Sequence, residues 1–170
     1  MSWLAYALMT VVCWGLYGVA LHTGQIGMED PVHGRYKAFL FVGIAYFLIA
    51  VLAPAALLQT SGATWDFPTR GAAWSLGAGA VGAIGAFCVL LAFGARGQPA
   101  VVMTLVFSLA PVVNAITVIL KEGLWSEIRW PFVLGIVLAS VGGGLVTTYK
   151  PTKAHAAPAV PSPPDATPAD

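Results

Sequence analysis

Polar and aromatic side chains recur along one face of the first apolar segment of the chain. Tyr6, Thr10, Cys13 and Tyr17 are spaced four, three and four residues apart, and Trp14 lies at the edge of the same face. Residues at this spacing share one side of a helix. Aromatic rings with a hydroxyl could line a cavity for an aromatic or amphipathic small molecule. Alternatively, Tyr6 and Tyr17 belong to the aromatic belt at the two ends of a membrane helix.

A second polar face lies on a later apolar segment. Thr104, Ser108, Pro111 and Asn114 are spaced four, three and three residues apart, within one arc of a helix. Pro111 cannot donate a hydrogen bond to the carbonyl group of Phe107, so we expect a kink there that could act as a gate. Asn114 is the most polar group in this segment, and two roles remain open: lining a cavity, or bonding to a neighbouring helix.

Ionisable groups are confined to the ends of the apolar segments. Arg35 precedes the second segment and Glu122 follows the fourth. Such charges either contribute to a site or snorkel into water. Without a carboxylate at membrane depth, a proton relay is not expected. The sequence also lacks HExxH, GxSxG, P-loop and CxxC motifs, so we expect no enzyme, no metal and no cofactor.

Composition determines which elements must position these residues. Of the 170 residues, 58% are hydrophobic and 9% are charged, against roughly 25% charged residues in an ordinary globular domain. So few charges cannot cover a soluble protein, and a net charge of +1 provides no basic patch for nucleic acid. The apolar runs are continuous rather than alternating, which favours helices over a β-barrel. The predicted class is an all-α integral membrane protein.

Five transmembrane helices are predicted, since each needs about 20 apolar residues. The spans are expected at about 3–21, 38–59, 72–94, 99–120 and 130–149, in one domain covering 1–149. Gly94, Arg96, Gly97 and Pro99 mark the turn between the third and fourth spans. The first span lacks a positively charged segment before it, so we expect a retained helix rather than a signal peptide.

The remaining segment, 150–170, is rich in proline and alanine and predicts a disordered tail. With the N-terminus outside, five Lys and Arg residues lie inside against three outside. This bias favours a cytoplasmic C-terminus in the cell (inner) membrane. The margin is small and permits insertion in both orientations.

Small residues dominate the third and fifth spans. The third carries closely spaced glycines, and the fifth carries a small residue at every fourth position. These residues are Gly77, Gly79, Gly82 and Gly85 in the third span, and Gly135, Ala139 and Gly143 in the fifth. This spacing permits close helix packing, either within one bundle or across a dimer.

Three stretches together resemble a known family. Residues 13–18, CWGLYG, are similar to a Trp-Gly segment of its first helix, and residues 34–39, GRYKAF, are similar to the Arg-aromatic entry to its second. Residues 109–113, LAPVV, are followed by Glu122 and the glycine-rich 135–144. This order resembles the last part of the family's unit, in which helix four carries a proline, an acidic residue follows it and the fifth helix is rich in glycine. The family is the drug/metabolite transporter superfamily, and the resemblance is to one EamA-type five-helix unit. This sequence differs from the family pattern in two ways. The family usually has two units per chain, and Lys121 stands where the family usually has a glycine.

The resemblance implies a transporter of a small molecule in the lipid bilayer. The absence of a buried charge favours a neutral or weakly polar metabolite. A single unit needs a partner, so a homodimer or a pair with a similar five-helix chain is expected. The substrate would lie between the polar faces of the first and fourth spans. The alternative is a non-transporting scaffold or accessory subunit of a larger membrane complex, with the glycine faces as docking surfaces.

Overall fold

A computed structural model describes residues 2–151, and every regular element in that range is a helix. Five helices are long and apolar enough to cross a membrane, judged by length and composition. They are α1 (Trp3–Gly27), α2 (Gly34–Thr60), α3 (Thr69–Gly94), α4 (Pro99–Glu122) and α5 (Trp130–Thr148). A 3₁₀ turn, Leu124–Glu127, joins α4 to α5. The predicted all-helical, five-span architecture is confirmed at this level, and the predicted tail lies outside the described residues beyond Pro151.

The turn between α3 and α4 brings these two helices together tightly. The N–H of Gly97 donates to the carbonyl of Ala92 (2.8 Å), and the N–H of Arg96 donates to Phe93 (3.1 Å). This is the Schellman pattern, and Arg96 takes the left-handed conformation (φ 69°) that glycine usually supplies. A Cβ atom at Gly97 would lie 2.6 Å from the carbonyl oxygen of Ala92, so position 97 requires glycine.

The second helix contains a π-helical turn, Leu48–Leu52, that the sequence analysis did not predict. Pro54 explains it, because its ring excludes the carbonyl four residues earlier and it has no N–H to donate. The wider turn lets the N–H of Ala53 bond to the carbonyl of Leu48 instead. Beyond Phe47, α2 packs against none of the other described helices.

The core of the bundle lies at one end of the helices. Leu21 of α1, Leu90 and Phe93 of α3, and Met103 of α4 form the buried cluster. Here α1 contacts α2, α3 and α4, whereas α5 packs against α4 alone among the described helices. Towards the opposite end the helices separate, and residues 69–85 of α3 are exposed throughout. The bundle is therefore closed at one end and open at the other.

Candidate functional site

One cavity lies between α1, α3 and α4, next to the core, and we call it the α1–α3–α4 cavity. Its volume is about 550 Å³, and its walls include Trp14 and Tyr17 of α1 and Gly82 and Gly85 of α3. A Cβ atom at either glycine would meet no other atom within 4 Å, so the missing side chains leave open space. Met103, a core residue, also borders the cavity.

Aromatic rings form one side of this cavity. The ring of Trp14 lies 5.8 Å from that of Tyr17, and 6.2 Å from that of Phe107 in an edge-to-face arrangement. The hydroxyl of Tyr17 is buried and has no hydrogen-bond partner among the described residues. A buried hydroxyl without a partner is unfavourable, so a polar group that reached this oxygen would stabilise it.

The predicted hydroxyl face of α4 lines a different cavity, between α1, α4 and α5, which we call the α1–α4–α5 cavity. It measures about 490 Å³ and includes Thr104, Ser108 and Gly143. The hydroxyl of Thr104 donates to the carbonyl of Ala100 (2.6 Å), and that of Ser108 donates to Leu105 (3.2 Å). These donors are satisfied within α4, but each hydroxyl oxygen can still accept a hydrogen bond.

The sequence predicts one site between the polar faces of α1 and α4, whereas the structure distributes these faces over two cavities. Trp14 lines the α1–α3–α4 cavity and Phe107 lines the α1–α4–α5 cavity. Since these two rings touch edge to face, their contact lies between the cavities. Trp14 and Tyr17 are brought together, and so are Thr104 and Ser108, but the two pairs do not share a cavity.

Four of the predicted residues within the spans, Tyr6, Thr10, Pro111 and Asn114, line neither of these cavities. Thr10 donates its hydroxyl to the carbonyl of Tyr6 (3.0 Å), and both residues are exposed towards the open end. Asn114 is exposed. Pro111 lies within α4, which continues as one helix on both sides of it.

Three glycines that the sequence assigns to helix packing lie on cavity walls, where no cavity was expected. Gly82 and Gly85 lie on the α1–α3–α4 cavity, and Gly143 lies on the α1–α4–α5 cavity. Cys88 lines the first of these, while Cys13 lines a smaller space of about 340 Å³ between α1 and α2. The signal for these residues was present as small-residue spacing, but spacing alone does not distinguish a packed glycine from an unpacked one.

Charges at the helix ends lie apart from both cavities. Glu122 makes an exposed ion pair with its neighbour Lys121 (3.8 Å), which contributes little to stability. Arg35 is partly buried at the start of α2, on a separate polar cavity at the closed end of the bundle. Neither residue lines the α1–α3–α4 or the α1–α4–α5 cavity.

Asp30 organises the loop between α1 and α2. Its carboxylate accepts from the ammonium of Lys37 (2.7 Å) and from the backbone N–H groups of Val32 (3.1 Å) and His33 (2.8 Å). The hydrogen bond from Lys37 and those from the backbone lower the pKa of Asp30 from 3.8 to about 2. Since hydrogen bonding to the charged form favours ionisation, this carboxylate is the central acceptor of the loop.

We expect this loop to loosen as the pH falls from about 4 to about 2. A depressed pKa means that Asp30 stabilises the fold fully above its ordinary value of 3.8, and that this contribution is lost as the pH approaches about 2. An NMR titration of the Asp30 carboxyl carbon should give a midpoint near 2, and Lys37→Gln should raise it. A wild-type midpoint near 4 would contradict the observed contacts.

Comparison with family models, with curated proteins and with solved structures gives no match to this chain. Its functional interpretation therefore depends on its own residues: two cavities beside a core at one end of a five-helix bundle.

Proposed function

We propose that this protein is an integral membrane transporter of a small, neutral or weakly polar metabolite, which binds in the α1–α3–α4 cavity. The observation that carries the proposal is the position of this cavity, about 550 Å³, above a closed core and within helices that separate at the other end. Its size is within the range of about 300–1,000 Å³ found for small-molecule sites. A cavity closed at one end and open at the other is what one state of an alternating-access cycle requires.

The chemistry of the walls supports a neutral ligand. Glycine, alanine and valine make up most of the lining, and no Asp, Glu, Lys, Arg or His side chain is on it. A charged ligand would lose its hydration there without an opposite charge to replace it. An aromatic or planar ligand could stack against Trp14. The unpartnered hydroxyl of Tyr17 would then provide a hydrogen bond that orients it.

A bend of α4 at Pro111 is the movement we propose for opening and closing. Pro111 has no N–H, so the carbonyl of Phe107, four residues earlier, lacks its usual helical partner. The ring of the same Phe107 packs against Trp14 at the wall between the two cavities. Bending at Pro111 would therefore move the ring that separates the α1–α3–α4 cavity from the α1–α4–α5 cavity.

A dimer, or a pair with a similar five-helix chain, would complete the pathway in this proposal. The exposed part of α3, residues 69–85, and the part of α2 beyond Phe47 have no other described helix packed against them. Inverted repeats around a site at the membrane midplane are a common transporter plan, and two opposed copies would reproduce it.

Water access to the cavity provides a first test, and Cys88 is its reporter. The reactive form of cysteine is the thiolate, which needs a polar environment. With Cys13 replaced by serine, we expect Cys88 in proteoliposomes to react with a charged, membrane-impermeant thiol reagent. As a matched control, Leu76→Cys in a chain without Cys13 and Cys88 places a thiol on the exposed part of α3, where we expect no reaction. An unreactive Cys88 would contradict a water-accessible cavity.

Filling the cavity should abolish transport. Gly85→Leu places an alkyl group into open space on the cavity wall, whereas Gly43→Leu makes the same change on α2, outside the cavity and outside the surface proposed for a partner chain. Proteoliposomes would be incubated with a polar metabolite extract, and their contents analysed by mass spectrometry. We expect one or a few neutral solutes to enter with wild type and Gly43→Leu, and about tenfold less with Gly85→Leu. Trp14→Ala should also lower uptake, since one lost stacking contact costs about 1 kcal/mol. Equal uptake by all variants would show that the substrate does not bind in the α1–α3–α4 cavity.

An accessory subunit is the second candidate function, and the exposed glycine-lined part of α3 favours it. A Cβ atom at Gly71, Gly77 or Gly79 would meet no other atom within 4 Å, so another helix could approach closely there. This candidate predicts a stable complex with unrelated membrane proteins, and loss of that complex in Gly79→Leu. Transport by the isolated chain would contradict it.

A further inference from the structure

A third cavity, separate from the two described above, lies where α1 ends, α2 begins and α3 ends. It measures about 360 Å³, and its polar lining residues are Gln25, Glu29, Asp30 and Arg35. Gly94, at the end of α3, forms the wall next to Arg35. We call this space the interfacial cavity, because the length of α1 leads us to expect it at the membrane–water interface.

The helix α1 is longer than the hydrocarbon core of a bilayer. It has 25 residues, which at 1.5 Å each gives about 37 Å, against about 30 Å of hydrocarbon. Its apolar span ends near Leu21, so we expect Gln25 and the residues after it to lie at the level of the lipid headgroups. The interfacial cavity would then open among phosphate and ammonium groups rather than among acyl chains.

Arg35 is a cation on this cavity that pairs with no acceptor among the described residues. Its Nε atom is buried and has no hydrogen-bond partner, and the side chain makes no ion pair among the described residues. Gly94 leaves room for it, since a Cβ atom there would lie 3.0 Å from Cδ of Arg35 and would collide with its guanidinium group. The ring of Tyr36 lies 5.1 Å below the guanidinium carbon. A partly buried charge without a counter-charge is unfavourable, so an anion bound there would stabilise it.

Two acceptors in the same cavity are also unpartnered. The side-chain oxygen Oε1 of Gln25 is buried without a hydrogen-bond donor, and Glu29 makes no ion pair among the described residues. Asp30 is not free in this way, because Lys37 and two backbone N–H groups already occupy its carboxylate. The cavity thus presents one unpaired cation close to two unpaired acceptors, an arrangement that complements a ligand carrying both an anion and an ammonium group.

We propose that the interfacial cavity binds a phosphate–ammonium headgroup, with the phosphate on Arg35 and the ammonium on Glu29 and Gln25. Arginine provides a planar fork of N–H donors that matches phosphate oxygens. A purely anionic headgroup would satisfy Arg35 but would meet the charge of Glu29. Phosphatidylethanolamine supplies the complementary chemistry at the depth of the cavity, and soluble glycerophosphoethanolamine carries the same charged groups without acyl chains.

The test measures the thermal unfolding midpoint of the full chain in lipid-free detergent, with phosphatidylethanolamine, phosphatidylglycerol or glycerophosphoethanolamine added. We expect phosphatidylethanolamine to raise the midpoint most. Arg35→Gln and Glu29→Gln should each weaken its apparent affinity about tenfold, which corresponds to one lost charge-assisted hydrogen bond. The matched controls Arg96→Gln and Glu122→Gln, which change the same residue types outside the cavity, should respond as wild type does.

Three results would overturn parts of this proposal. An equal response to phosphatidylethanolamine in wild type, Arg35→Gln and Glu29→Gln would show that this lipid does not bind in the interfacial cavity. Preference for phosphatidylglycerol, with no effect of Glu29→Gln, would leave an anion site and reject the ammonium contact. Equal protection by glycerophosphoethanolamine at the same concentration would reject lipid as the source. If Arg35→Gln does not fold, native mass spectrometry of lipid bound to Glu29→Gln still decides, because Glu29 is exposed on the loop.

Discussion

Replacing Leu90 by alanine is expected to lower the free energy of unfolding by about 2–5 kcal/mol. Leu90 is 0% exposed and lies at the centre of the cluster that joins α1, α3 and α4. Removing three carbon atoms leaves a void, because its neighbours Leu21, Phe93 and Met103 are held by their own helices. The measurement is equilibrium unfolding in mixed micelles of a mild detergent and dodecyl sulfate.

The matched control is Leu76→Ala, the same substitution on the same helix. Leu76 is 77% exposed, so its side chain has little protein to lose contact with, and we expect a change below about 1 kcal/mol. Similar losses for Leu90→Ala and Leu76→Ala would contradict a core confined to one end. A loss for Leu76→Ala that appears only at high protein concentration would instead report the partner chain proposed for the exposed part of α3.

The number and approximate position of the helices could be predicted from the sequence because the interior of a bilayer offers the backbone no hydrogen-bond partners. Every backbone N–H and C=O group in the hydrocarbon must be bonded within the protein, so long apolar runs become helices. The charges that ended the predicted spans mark the edge of the apolar region and not the end of the helix. Accordingly α1 continues through His22 and Gln25 to Gly27.

The division of the candidate site into two cavities could not be predicted, because spacing shows which residues share a face and not what the face meets. Trp14 and Tyr17 line the cavity shared with α3 and also the space between α1 and α2, while Thr104 and Ser108 line the cavity shared with α5. What sets the second orientation is the close approach of Ser108 to Gly143. That is a contact between two helices, and a pattern within one helix does not contain it.

The π-helical turn in α2 could have been predicted from the sequence, whereas the unpaired state of Arg35 could not. Pro54 lies inside the second apolar span, and a proline in a helix either bends it or alters its hydrogen bonding. Here it coincides with a π-helical turn. The unpaired state of Arg35, by contrast, depends on Lys37 reaching Asp30 first, which the order of charges along the chain does not reveal.

The contact between α4 and α5 makes Gly143 the second position where a small change should have a large effect. A Cβ atom at Gly143 would lie 2.6 Å from Cβ of Ser108 and still closer to its hydroxyl oxygen. Since α5 packs against no other described helix, a misfit here affects its whole attachment. We expect Gly143→Ala to destabilise the protein by about 1–3 kcal/mol, the usual cost of overpacking. Gly142→Ala, one residue away with no atom within 4 Å of its Cβ, should have little effect.

A double substitution distinguishes a steric conflict from a general intolerance of alanine. In Ser108→Gly the atoms that would collide with a Cβ at position 143 are absent, so adding Gly143→Ala should then cost much less than it does in wild type. Ser108→Gly alone should cost about 0.5–1 kcal/mol, because glycine is a poor helix former. The two effects should therefore be non-additive, with the double variant more stable than their sum predicts. Additive effects, measured by the same unfolding titration, would show that Ser108 and Gly143 do not touch and that α5 is held to α4 by other residues.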